Sequence, residues 1–249
     1  MDVAWIVDNV ASGTMDDCID IVLQPFINIQ RGDCVGAEVL VRGYRNQQVV
    51  YPNTFISQLE RNGTIMQLDL FVFAKGMAFA REAGLFRRRD FLLSFNFSPC
   101  EFNHLDFVSL IVSQASRTEA RKLILEITET EVLLDETGLS NLRRLQTYGF
   151  HIAWDDMTSL TLATVNLRHY PSRWVKLDRT MMFAENLDMA SEVIGYCQQC
   201  QTEIIVEGVE TEAQLAWLQA RNITLVQGYY FSPPISKYMF MKNFLRERS

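Results

Sequence analysis

Two adjacent acids, Asp155 and Asp156, close the apolar run Ile152-Ala153-Trp154, and the next apolar run, Trp174-Val175-Lys176-Leu177-Asp178, carries an amine at its centre. Burying a charge in a sheet is costly unless it is paired or bound to a metal, so these two segments mark either a rim or a site. Other apolar runs behave in the same way. Leu123-Ile124-Leu125 leads into Glu126 and Ile204-Ile205-Val206 into Glu207, while Asn96 lies within Ser94-Phe95-Asn96-Phe97-Ser98. Glu38 sits inside Gly36-Ala37-Glu38-Val39-Leu40, and Gln227 precedes Gly228. A single acid after a strand is usually a solvated loop residue or a helix cap, the reading given to Asp178 and Glu210. Five carboxylates and an amide on converging strands repel one another unless cations lie among them. The donors are all oxygen, with no Cys or His, which favours Mg²⁺ or Mn²⁺ over zinc and is enough for two ions. A two-metal carboxylate centre stabilises the attacking and leaving oxygens of an in-line displacement, so phosphodiester hydrolysis is the chemistry it suits. Lys176 would orient or deprotonate the attacking water, or offset charge. Arg42, four residues after Glu38, is either placed for a substrate phosphate or solvated at the surface.

Such residues need a scaffold that brings strand ends together. Runs rich in Val, Ile, Leu and aromatics at 19–29, 36–42, 91–98, 122–129, 151–156, 174–178, 203–209 and 224–231 predict strands. Their continuous hydrophobicity fits strands covered on both faces. Helical spacing fills the intervals at 54–61, 65–83, 101–116, 139–148, 160–169, 179–200 and 212–220, with Asn53, Asp178 and Thr211 as expected N-caps. This alternation predicts an α/β chain folded as a TIM-type (β/α)8 barrel, with its chemistry at the carboxyl ends of the strands. A doubly wound open sheet is the rival pattern. Residues 1–18 read as an N-terminal extension and 19–249 as a single barrel domain.

Composition narrows the function. A net charge of -7 argues against a nucleic-acid polymer as partner, since such surfaces neutralise phosphates with Lys and Arg. An anionic substrate would instead need a bound cation. The apolar stretch 68–80 is interrupted by Asp69, Lys75 and Gly76 and is too short for a membrane span, and the amino terminus has no basic region of the secretory kind. Five cysteines without framework spacing fit a reducing compartment, with the cytoplasm as the expected location. Cys197 and Cys200 form a CxxC at the end of a predicted helix rather than its start, and two further zinc ligands are missing, so they read as incidental helix residues. Arg87-Arg88-Arg89 reads as a solvated turn at a helix C-terminus. Tyr229, Tyr230 and Phe231 would stack on a base or simply pack at a strand end.

Taken together, the segments resemble the EAL domain family of cyclic di-GMP phosphodiesterases over roughly 19–244. The family's Glu-Ala-Leu stands here as Glu38-Val39-Leu40 with Arg42 after it, its QP as Gln24-Pro25 and its NxS as Asn96-Phe97-Ser98. Leu125-Glu126-Ile127-Thr128-Glu129 resembles the ELTE stretch, Asp155-Asp156 the DD, and Lys176-Leu177-Asp178 the KxD. Glu207-Gly208-Val209-Glu210-Thr211 and Gln227-Gly228-Tyr229 complete the order. The resemblance implies a modified TIM barrel that linearises cyclic di-GMP to pGpG with two Mg²⁺ or Mn²⁺ ions. Glu38, Asn96, Glu126, Asp155, Asp156 and Glu207 would be metal ligands, with Glu38 and Glu207 also counted with Lys176 as catalytic. Lys176 would assist the nucleophilic water, Gln24, Arg42 and Gln227 would contact substrate, and Glu129 would anchor the loop after the DD pair. It also implies a homodimer joined through that loop. The chain departs from the family there: DDFGTGYSS becomes Asp155-Asp156-Met157-Thr158-Ser159-Leu160-Thr161-Leu162-Ala163, without either glycine. Glycine alone reaches positive φ without strain, so Thr158 and Leu160 predict a different loop path. The alternative that follows is a catalytically weak or inactive regulator that binds cyclic di-GMP or a protein partner.

Overall fold

In the computed structural model, which describes residues 3–46, 48–127 and 134–245, the apolar runs form one closed sheet. Its strands are β1 (Ile19–Asn28), β2 (Asp33–Arg45), β3 (Gln48–Val50), β4 (Leu92–Phe97), β5 (Leu123–Ile127), β6 (His151–Met157), β7 (Trp174–Leu177), β8 (Glu203–Val206), β9 (Leu225–Val226) and β10 (Ile235–Ser236). The ring runs β1-β2-β4-β5-β6-β7-β8-β9 and returns to β1, with β3 and β10 added outside it. β1 is antiparallel to both neighbours, whereas the other ring strands are parallel. The barrel is therefore the TIM type with its first strand reversed, and an open doubly wound sheet is ruled out.

Around the ring lie α1 (Ala4–Ser12), α2 (Ile56–Asn62), α3 (Ile65–Glu82), α4 (Pro99–Phe102), α5 (Phe107–Val112), α6 (Arg117–Ala120), α7 (Glu136–Tyr148), α8 (Leu160–His169), α9 (Leu187–Gln199), α10 (Glu212–Gln219) and α11 (Lys237–Phe240). Strands so enclosed bury both faces, which is why their sequences are continuously apolar. Phe26, Ile124, Ala153, Trp174, Ile205 and Leu225 fill the barrel interior. A larger cluster lies between wall and helices, with Phe73 of α3 edge-on to Phe95 of β4 at 4.8 Å. Gly76 permits that approach, since a Cβ there would stand 2.3 Å from the Phe95 ring. α1 buries Ile6, Val7 and Val10 against this layer.

Several boundaries differ from the sequence reading. The helix expected over 101–116 splits into α4 and α5, because Asn141 of α7 donates to the Phe102 and His104 carbonyls at 2.8 and 2.9 Å and replaces the helical bonds at the break. The helix expected from 179 opens as short 3-10 turns after Asp178, which caps the first of them through the Thr180 amide, and becomes α-helical only at Leu187. Asn53 caps nothing, since it lies inside a 3-10 turn and Phe55 precedes α2. Thr211 does cap α10, in a capping box with Gln214. Cys197 is buried on α9, and Cys200 follows its last turn, exposed and unpaired.

Candidate active site

The barrel interior positions the site by the two-residue period of a strand. Glu126 stands two residues beyond Ile124, Asp155 beyond Ala153, Lys176 beyond Trp174, Glu207 beyond Ile205 and Gln227 beyond Leu225, one layer above the apolar plug. On the reversed β1 the order inverts, so Gln24 precedes Phe26 by the same step. Register completes the ring, with Glu38 opposite Gln24 and Asn96 opposite Glu126.

Asp155 and Asp156 need a further device, because neighbours in a regular strand point to opposite faces. The β6–β7 pairing shifts between Trp154 and Met157, and Asp156 sits in this irregularity at φ 51°. Carboxylate oxygens of both acids thereby come within 4.8 Å of one another and of Glu207. Glu38, Glu126 and Asp155 form a second triad of the same span, so Asp155 belongs to both.

Lys176 occupies the centre and is 1% exposed. Its Nζ lies 2.7 Å from Glu207, 3.0 Å from Glu126, 3.2 Å from Asp155 and 3.3 Å from Glu38. Glu38 accepts 2.7 Å hydrogen bonds from the Asn96 and Gln227 side-chain amides, and Gln227 also donates to Gln24 at 3.3 Å. Burial raises the Glu38 carboxyl, but Lys176 and those amides outweigh it and hold it below the usual range. Burial drives Glu126 well up despite Lys176 and raises Asp155 as well. It pushes Glu207 up to about 8 and Asp156, with help from Asp155, to about 6. Burial lowers Lys176, yet the surrounding acids overwhelm that effect and keep it an ammonium. Five acids against one ammonium leave four formal negative charges, the amount two divalent cations neutralise. The oxygen donors, their spacing and this charge fit hard divalent ions, with Glu38, Glu126, Asp155, Asp156 and Glu207 in reach and Asn96 beside them.

Arg42 is half-buried on β2 at the barrel mouth, its guanidinium over the Tyr51 ring. Glu129, the expected loop anchor, lies outside the described residues. Thr158 and Leu160 avoid left-handed backbone altogether: Ser159 caps α8 through the Leu162 amide, and Leu160 is its first helical residue. Sequence reasoning missed a second acidic group behind β4. Ser98 donates its amide to Glu101 at 2.7 Å and its hydroxyl to Glu60 at 2.8 Å, and burial together with the neighbouring Asp69 holds the buried Glu101 carboxyl well above the usual range. Glu60, Asp69 and Asn96 also line a cavity of about 210 Å³ with apolar walls from Val39, Val41, Ile56 and Phe97. Asp69 interrupts an apolar helix, and that interruption is the one sequence signal that could have found this group.

A TIM-type barrel with a carboxylate centre at the carboxyl ends of its parallel strands is the class this geometry defines. Residues 15–234 match the family model for the EAL domain, and the chain belongs to that family. It is similar to the cyclic di-GMP phosphodiesterase NbdA of Pseudomonas aeruginosa, 29% identical over 233 residues, covering 88% of this chain and 29% of the relative. It is also similar to the probable cyclic di-GMP phosphodiesterase PdeG of Escherichia coli, 29% identical over 225 residues, covering 86% of this chain and 44% of the relative. The chain thus spans less than half of either curated relative. Among solved structures, the PaMucR phosphodiesterase in complex with c-di-GMP superposes with a TM-score of 0.84 at 23% identity, covering 95% of this chain and 99% of that one, a likeness of fold. No helix among the described residues is long and apolar enough to cross a membrane.

Proposed function

We propose that this domain hydrolyses cyclic di-GMP to linear pGpG, using two Mg²⁺ or Mn²⁺ ions. The observation that carries the reading is the pair of carboxylate triads sharing Asp155, in a chain of the EAL family. Glu38, Asn96, Glu126, Asp155, Asp156 and Glu207 would hold the ions, which when bound supply Lewis-acid stabilisation to both oxygens of an in-line displacement. Lys176, an ammonium among four carboxylates, acts as a hydrogen-bond donor and fixed charge that orients the attacking water rather than deprotonating it. Gln24 and Gln227 present amides at the wall and Arg42 a guanidinium for phosphate. The cavity beside Asn96 offers apolar walls and carboxyl acceptors to a flat, N–H-bearing base. Cytoplasmic placement and a homodimer through the segment after Asp156 belong to the same reading, supported by the unpaired cysteines and by exposed Val165, Phe183 and Met189 on and beside α8 and α9.

The regulator alternative rests on Thr158 and Leu160. Both sit in relaxed backbone while Asp155 and Asp156 stay together, so hydrolysis is favoured. The test is incubation of the purified domain with cyclic di-GMP and Mg²⁺ or Mn²⁺, followed by chromatography. Linear pGpG from the parent but not from Glu38→Ala supports hydrolysis, tight binding without product supports the regulator, and neither binding nor product rejects both nucleotide roles.

A further inference from the structure

Arg42 lies on β2 four residues beyond Glu38, so the two side chains share the inner face, and about 3.3 Å of rise per residue puts Arg42 roughly 13 Å closer to the rim. Its Nη1 donates to the Val41 carbonyl at 2.7 Å, and its guanidinium carbon lies 5.4 Å from the centre of the Tyr51 ring. Among the described residues no carboxylate stands at ion-pair distance from it. A half-buried guanidinium held by a ring and one carbonyl keeps most of its N–H donors for an incoming anion.

The β2–β3 hairpin makes this arrangement. Its register pairs Tyr44 with Val49 and Gly43 with Val50, so one step on Tyr51 comes level with Arg42. Pro52 follows and opens a 3-10 turn, and having no N–H it ends the ladder. The Tyr51 carbonyl accepts from the Thr54 amide at 3.1 Å and the Thr54 hydroxyl at 2.7 Å, which fixes the backbone on the far side. Tyr51 is 58% exposed, so burial does not account for the position of its ring, which lies against the guanidinium.

We propose that Tyr51 is a positioning residue that holds the Arg42 guanidinium at the rim, open to a phosphate of the dinucleotide. Without the ring, the guanidinium is drawn inward toward the carboxylate centre and its donors are lost to the ligand. This rests on the phosphodiesterase reading and adds to it a residue that sets affinity rather than rate.

Titration calorimetry with cyclic di-GMP in EDTA, where no turnover intervenes, provides the test. A guanidinium over an exposed ring contributes modestly, so Tyr51→Leu is expected to raise Kd roughly two- to fivefold, and Tyr51→Phe to restore it. With metal added, KM rises in Tyr51→Leu while kcat holds, and the melting midpoint stays within about 2 °C of wild type. In an Arg42→Gln background, Tyr51→Leu adds no further loss. Equal affinity of wild type and Tyr51→Leu, or an undiminished effect of Tyr51→Leu without Arg42, overturns the positioning role and leaves the phosphodiesterase reading standing. A wild-type domain that neither binds nor cleaves cyclic di-GMP overturns both.

Discussion

At the scale of single residues, Lys176 decides whether the acids can coexist. Its one ammonium faces Glu38, Glu126, Asp155 and Glu207 within 3.3 Å, and removing one partner of a buried ion pair strands the other charges. Lys176→Met should therefore destabilise the metal-free domain by about 3–5 kcal/mol in denaturant unfolding and lower kcat by roughly 10²- to 10⁴-fold. A variant with wild-type stability and rate would show that the ammonium is a bystander. The site residues were legible in sequence because a polar residue two steps beyond an interior apolar one repeats from strand to strand. Tyr51 was not, since its role depends on Arg42 lying across a hairpin whose second strand is three residues long.

At the scale of elements, the irregularity in β6 and the acids behind β4 carry predictions of opposite character. Asp156 sits at φ 51°, a conformation that Asn tolerates and β-branched residues resist. Asp156→Asn should keep the fold and lose metal-dependent rate, whereas Asp156→Val should also cost about 1–3 kcal/mol by thermal unfolding. Equal melting of the two variants would remove the bulge from the account. Behind β4, burial pushes the Asp69 carboxyl up to about 7 and Glu101 well above the ordinary range. Carboxyls that bind protons more tightly when folded cost nothing at low pH, and stability falls as pH rises from about 4 through the folded pKa. Glu101→Gln removes the carboxyl that burial raises, so at pH 8 it should be more stable than wild type by roughly 1–2 kcal/mol, with little difference at pH 4. Parallel pH profiles of the two proteins would contradict the raised Glu101 carboxyl. The period of the strands and most helices were readable because burial on both faces leaves long apolar runs. The split between α4 and α5 was not, since it depends on Asn141 reaching in from α7.

At the scale of the whole molecule, barrel closure makes one site of residues far apart in the chain. β1 joins β2 and β9, and only then do Gln24 and Glu38 meet Gln227 from the last ring strand. Alternating strands and helices foretold a barrel, but the reversed first strand was hidden, because a short β1–β2 turn and a parallel crossover are told apart by connection length rather than by hydrophobicity. On the proposed reading, the negative chain would bind an anion with cations placed between acid and phosphate. Anomalous diffraction from crystals grown with Mn²⁺ tests that idea most directly. Two peaks are predicted, one bounded by Glu38, Glu126 and Asp155 and the other by Asp155, Asp156 and Glu207; a mouth without manganese density, with Lys176 still bridging the acids, would contradict it.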